Sequence, residues 1–186
     1  MFIPLVIITS LVIALVRGGR FANLAQIELR YFWLLFVPLL LQLIAFSPIG
    51  DIAVYRVAVA QLLYIASLGL AALVLWLNRQ LAGIRWIAVG LFLNFLVILL
   101  NGGFMPVSAA AREFAGLPPV LAREMNVIPL TDTTLLPWLS DVLPLPAILP
   151  FANVFSVGDA LIAIGGVLFT QHTLVPPKPR LNQSLD

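Results

Sequence analysis

From Val57 to Leu77 the chain runs without an Asp, Glu, Lys or Arg, and apolar residues occupy every face of a helix drawn through it. About 20 such residues cross the hydrocarbon core of a bilayer, so the run belongs either in a membrane or at the centre of a large soluble core. Composition decides between the two. Hydrophobic residues make up 62% of the 186, charged residues 10%, and the mean hydropathy is +1.09; a soluble domain of this length cannot bury so much apolar surface. Lipid must cover the excess, which makes the bilayer the first expected partner.

Four more apolar runs accompany this one, at residues 2–16, 31–49, 86–101 and 157–175. Together they predict an all-α, polytopic five-helix transmembrane bundle over residues 1–175, followed by a cytoplasmic tail at 176–186. The first run lacks a preceding basic residue and carries Arg17 and Arg20 after it, the reverse of a secretory signal, so it reads as a retained span. Its length as a helix is only roughly 22 Å, and arginine snorkelling or local thinning has to extend it. Pro38 falls inside the second run and predicts a kink there.

Orientation follows from the basic residues. Arg17, Arg20, Arg30, Arg79, Arg85, Lys178 and Arg180 fall on one side, and Arg56, Arg112 and Arg123 on the other; Asp51, Glu113, Glu124, Asp132 and Asp141 join the poorly basic side. The expected placement is the inner (cytoplasmic) membrane with the N-terminus outside and the C-terminus inside. The net charge of +2 then reflects topology, since no Lys/Arg block exists to track nucleic-acid phosphates. With no cysteine, disulfides, thiolate metal sites and thiol catalysis are excluded.

Residues 102–153 form the one long connection and are expected to be structured outside the membrane. Ser108 is placed to cap a short helix ending at Gly116, and Pro118 and Pro119 to open a second one through Met125. Beyond it, Pro129, Pro137, Pro144, Pro146 and Pro150 are read as breaking every regular run, while Leu135, Trp138 and Leu143 make the segment apolar enough to lie in the interface or fold back as a lid. A re-entrant segment is the minor alternative.

Polar residues within the runs are few. Gly90, Asn94, Val97 and Asn101 share one helical face, which predicts an inward-facing stripe on the fourth span. Asn94 and Asn101, with Gln42 and Gln61 of the second and third spans, are the candidate ligand-binding side chains, although interhelical hydrogen bonding accounts for them as well. Asp159 completes the candidates, yet Ser156 three residues before it spells a capping box that explains the carboxylate without a substrate. The twin glycines Gly102 and Gly103 read as a helix stop. The lone His172 suits an interfacial position at the end of the last span. Small-residue seams are expected at Ala60, Ser67 and Ala71 with Tyr64, and at Ala163, Gly166 and Thr170. The chain lacks GxSxG, HExxH, a Walker loop and any Cys/His cluster, so no catalytic residue and no metal site is assigned.

The motifs Asn101-Gly102-Gly103-Phe104-Met105-Pro106-Val107-Ser108, Leu136-Pro137-Trp138-Leu139-Ser140-Asp141 with Leu143-Pro144-Leu145-Pro146, and Asn153-Val154-Phe155-Ser156-Val157-Gly158-Asp159 resemble those of a bacterial family of small integral membrane proteins of unknown function, and Arg17-Gly18-Gly19-Arg20 fits its early loop. The resemblance implies a similarity over nearly the whole chain and supplies no activity. The expected function is therefore a non-catalytic accessory or assembly subunit of a membrane complex, joined to other subunits through small-residue helix faces. The alternative is a binder of an apolar molecule such as a quinone, a carotenoid pigment or another lipid. A small transporter is a more distant third.

Overall fold

The computed structural model describes residues 2–45, 56–120, 126–148 and 152–175. The chain is mostly helical: α1 (Phe2–Val16), α2 (Phe36–Ala45), α3 (Arg56–Leu77), α4 (Ile84–Leu100), the short α5 (Ala109–Phe114) and α6 (Val157–Leu174). Two of these, Ala58–Leu77 and Val157–Leu174, are long and apolar enough to cross a membrane; Ile3–Val16, Phe32–Ala45 and Ile84–Leu100 are shorter apolar helices. The long helices pack in the order α2, α3, α4, α6, α1, each against the next. Among the described residues, the first helix thus lies beside the last.

The second apolar run is not one straight or kinked helix. Tyr31 adopts the left-handed conformation at φ 57°, a 3-10 turn covers Phe32–Leu35, and the α-helix starts only at Phe36. Pro38 is the reason: a proline has no N–H to bond the preceding turn, and beginning the helix at Phe36 places it in the first turn, where no such bond is needed. Residues 46–49 of this run lie outside the described residues. The fourth helix begins at Ile84, two residues before the expected start, because Gly83 at φ 82° breaks the chain direction there and Arg85 is accommodated in the first turn.

Antiparallel α4 and α6 meet through glycines. Gly83 opposes Gly165 and Gly90 opposes Gly158, seven residues apart on each helix; a Cβ at Gly165 would stand 2.6 Å from the Gly83 carbonyl oxygen, and one at Gly158 2.6 Å from that of Gly90. Only hydrogen fits between backbones this close. The expected seam residue Gly166 faces the other way, against Ile7 of α1, so α6 has a close-approach face for each neighbour.

The long connection is folded. Four short strands, β1 (Met105–Val107), β2 (Val127–Pro129), β3 (Leu143–Leu145) and β4 (Asn153–Phe155), make a parallel pair β1–β2 and an antiparallel pair β3–β4. Pro129 and Pro144 lie within them, which corrects the expectation that the prolines beyond Met125 break every regular run, and Pro106 lies in β1. In a two-stranded sheet every strand is an edge, and a proline nitrogen can face away from its single partner. The first short helix forms as expected: Ser108 Oγ accepts from Ala111 N at 3.3 Å, and Gly116 at φ 70° ends it. The second does not begin at Pro118, since residues 117–120 are irregular; 121–125 lie outside the described residues. Val107, Ala111, Ala115, Val120 and Val154 form the cap's own apolar core. A second cluster, Leu68, Val97, Ile98 and Met105 with Leu136 and Leu139, seats the cap on the ends of α3 and α4.

Candidate functional site

At the cap end of the bundle, α4 and α6 share a closed ring of hydrogen bonds. Asn94 Nδ2 donates to Asp159 Oδ1 at 2.8 Å, Ser156 Oγ donates to Asn94 Oδ1 at 2.8 Å, and the Asp159 backbone N–H donates to Ser156 Oγ at 3.0 Å. The Ser156 N–H closes the capping box on Asp159 Oδ2 at 3.2 Å. The sequence anticipates the box; it does not reveal that Asn94 joins it from another helix. The approach of Gly90 to Gly158 brings the two helices near enough for that bond.

The other candidates do not converge on this ring. Gln42 Nε2 donates to Ser67 Oγ at 3.2 Å, tying α2 to α3. Gln61 packs beneath Gly103, whose φ of 89° admits no side chain and whose added Cβ would meet Gln61 at 2.9 Å. Asn101 grips the cap: its Nδ2 donates to Leu135 O at 2.9 Å and to Val97 O at 2.8 Å, and its Oδ1 accepts from Leu135 N at 3.0 Å. His172 is exposed in the last turn of α6, as expected.

Asn78, not among the candidates above, repeats the Asn101 arrangement at the opposite end. Its Nδ2 donates to Arg30 O at 3.0 Å and Val74 O at 2.8 Å, and its Oδ1 accepts from Arg30 N at 2.8 Å. Each of these asparagines follows the last apolar residue of its helix, binds its own i−4 carbonyl and pairs with one residue of a loop as a strand would. That shared position, directly after a spanning run, is the signal that was present in the sequence. The loop held by Asn78 also meets the end of α6, through Arg20 N to Leu174 O at 3.0 Å and Asn23 Nδ2 to the same oxygen at 2.9 Å. Arg17, Arg20, Arg30, Arg79 and Arg85 therefore gather at one end of the bundle, away from the cap.

The burial of Asp141 is a second feature that the sequence does not show. Its backbone is fixed in the cap, donating to Pro106 O at 3.0 Å and accepting from Ser108 N at 2.9 Å. Its carboxylate Oδ1 is enclosed without a hydrogen-bond partner, as is the hydroxyl of the neighbouring Ser140. Burial, and then the nearby charge of Asp159, raise the Asp141 carboxyl from the ordinary range to about 8. Asn126 Nδ2 donates to the Tyr64 hydroxyl at 3.2 Å beside these two carboxylates. Among the described residues no three His, Cys, Asp or Glu side chains lie close enough together to hold a metal ion.

A well-defined apolar concavity lies elsewhere. Gly69, Ala72, Leu73 and Trp76 of α3 and Ala88, Val89, Phe92 and Phe95 of α4 line an apolar groove of about 590 Å³, within the ~300–1,000 Å³ of small-molecule sites. It exists because Gly69, Ala72 and Ala88 leave room that Trp76 and the two phenylalanines wall in. None of Gln42, Gln61, Asn94, Asn101 and Asp159 lines it. The amides considered as head-group ligands bond or pack against the protein instead, and the space for an apolar molecule lies apart from them.

The fold and these sites define a class: mostly helical proteins with helices of membrane-spanning length, a folded cap over one end, and hydrogen-bonded polar residues where cap and helices meet. Residues 26–171 match the family described as "Family of unknown function (DUF5317)", and the chain belongs to that family. The match contains all three longer motifs and begins after Arg17-Gly18-Gly19-Arg20, so the early loop lies outside it. No curated protein and no solved structure matches the chain.

Proposed function

We propose that the chain is a five-span integral membrane protein that holds one amphiphilic molecule in the α3–α4 groove and performs no chemistry on it. On this reading α1, the segment from Phe32, α3, α4 and α6 cross the bilayer, the cap lies outside, and the arginine-bearing end lies inside. The groove is the observation that supports binding: it is apolar throughout, walled by three aromatic rings, and formed between the two helices to which the cap is fastened. The gathering of the basic loops at one end supports the orientation.

The measurement is native mass spectrometry of the protein purified in a mild detergent. Wild type is expected to retain one lipid-mass ligand. Val89→Phe, which fills the groove, is expected to lose it, and Leu62→Phe, on an exposed face of α3, to keep it. Equal retention by Val89→Phe and wild type would overturn the assignment, as would a wild type with no ligand. Because the chain has no cysteine, Thr133→Cys and Ala82→Cys test orientation directly. An impermeant thiol reagent added to intact cells is expected to label only the first.

An accessory-subunit role is the second reading, favoured by the edge helix α1, which packs chiefly on α6 and leaves Ile8, Val12 and Val16 more than half exposed. A protein that co-purifies with wild type and is lost on Val12→Arg would favour it.

A further inference from the structure

We propose that the mouth of the α3–α4 groove is a phosphate site formed by Arg79 and Arg85, and that its occupant is an anionic phospholipid from the leaflet at the basic end. This rests on the reading of the groove as a binding site and names the class of molecule it takes.

The argument starts from the spacing of the lining residues. On α3 they fall at 69, 72, 73 and 76, and on α4 at 95, 92, 89 and 88, each a stripe of three- and four-residue steps along one helical face. Continued by one step toward the turn that joins the helices, the first stripe reaches Arg79 and the second Arg85. Both apolar stripes therefore end in an arginine, at the same end of the groove.

The Arg79 side chain is placed accordingly, and Arg85 stacks on Trp86 just outside the lining. The Arg79 guanidinium lies 5.1 Å from the ring centroid of Trp76, itself a groove wall, and donates through one nitrogen to the Trp76 carbonyl at 3.0 Å. Arg85 lies 5.8 Å from the ring of Trp86. Stacking fixes a guanidinium without using all its five donors, so both keep N–H groups for a ligand. Neither has an acidic partner among the described residues, and Glu28, the acid described at this end, forms no ion pair with them. Arg17, which borders a shallower hollow between α1 and α6, is instead engaged by Gln171 Oε1 at 2.7 Å. The α4 N-terminus opens at the same mouth with no acidic residue in its first turn; the adjacent α3 C-terminus offsets its dipole, so the positive field there comes from the two arginines.

Charge and shape then agree on the occupant. A chain lying against Phe92, Phe95 and Leu73 places its polar end at Trp76, where Arg79 stacks and toward which the α4 stripe ends in Arg85, and planar guanidinium groups suit phosphate oxygens. A quinone or carotenoid carries no anionic group to use them.

The test uses the full chain in detergent, stripped of co-purified lipid and titrated with dioleoyl phosphatidylglycerol or dioleoyl phosphatidylcholine while bound lipid is read by native mass spectrometry. Wild type is expected to prefer the anionic lipid roughly tenfold, and Arg79→Gln/Arg85→Gln to lose the preference while still binding both. Val89→Phe is expected to bind neither, and inorganic phosphate not to displace the bound lipid. Equal binding of the two lipids by wild type overturns the phosphate site and leaves the groove reading standing; so does an unchanged preference in the double variant. Binding of neither lipid by a folded wild type overturns both.

Discussion

Asp141 shows how a single side chain can make this fold sensitive to pH. Its Oδ1 is enclosed without a partner, and its carboxyl is raised from 3.8 to about 8 by burial and the nearby Asp159. The folded state holds the proton more tightly than the unfolded chain, so this residue's contribution is fully present below about pH 4 and lost as pH rises toward 8. Wild type is therefore expected to melt at a lower temperature at pH 8.5 than at pH 5, and Asp141→Asn to lose most of that difference. Thermal unfolding in detergent at the two pH values checks it; an equal slope in both proteins would exclude Asp141 as the source. Sequence alone gave no such warning. Asp141 sits in a stretch that reads as loop, where carboxylates are normally solvated, and only the pairing of Asp141 with Val107 carries it under the cap. Asp159 was legible because Ser156 and Asp159 are three residues apart. Asn94, its partner from α4, lies 65 residues away along the chain, and no local pattern announces that bond.

At the level of elements, helices were easier to read than the contacts between them. The first, third and last apolar runs became helices within a residue or two of their expected limits, since length and hydropathy alone determine them. The second did not, because Pro38 decides where an α-helix can begin. The strands of the cap escaped notice for a related reason. Three-residue strands carry too little alternation to see, and prolines obscure them further. The glycine contact between α4 and α6 was visible in principle, as Gly83 with Gly90 and Gly158 with Gly165 share a spacing of seven, but the pairing of α4 with α6 has to be known before that spacing has meaning. It makes a graded prediction. Gly165→Ala sets a Cβ 2.6 Å from a backbone oxygen and 2.7 Å from a backbone nitrogen, and is expected to cost roughly 1–3 kcal/mol as overpacking that cannot relax. Gly69→Ala meets only the Phe95 ring, at 3.2 Å, which can turn aside, and is expected to change stability far less. Comparing the two unfolding midpoints in detergent measures the difference; parity would show that the α4–α6 approach is looser than described.

For the whole molecule, the order α2, α3, α4, α6, α1 could not be derived from hydropathy, which counts helices and says nothing of their neighbours. It is held by specific polar contacts, among them Gln171 Nε2 donating to Ser10 O at 2.6 Å and to Ser10 Oγ at 3.1 Å. A chain free of cysteine allows this order to be tested. Ser10→Cys/Gln171→Cys is expected to be joined within one chain by a short thiol-reactive crosslinker, and Val12→Cys/Leu40→Cys, on the two edge helices, is not. Linkage of the second pair would mean that the row closes into a ring.

That α1 rests on α6 has a consequence for how the protein is made. On the five-span reading, α1 leaves the ribosome before α2, α3 and α4, and α6 only after them. Helices α2 to α4 can pair with a sequence neighbour as each arrives, whereas α1 waits in lipid while they and the cap are made, with Ser10 and its glycine-facing Ile7 unmatched. Until α6 arrives, on that reading, the growing chain leaves open to other membrane proteins the same surface of α1 that α6 will cover.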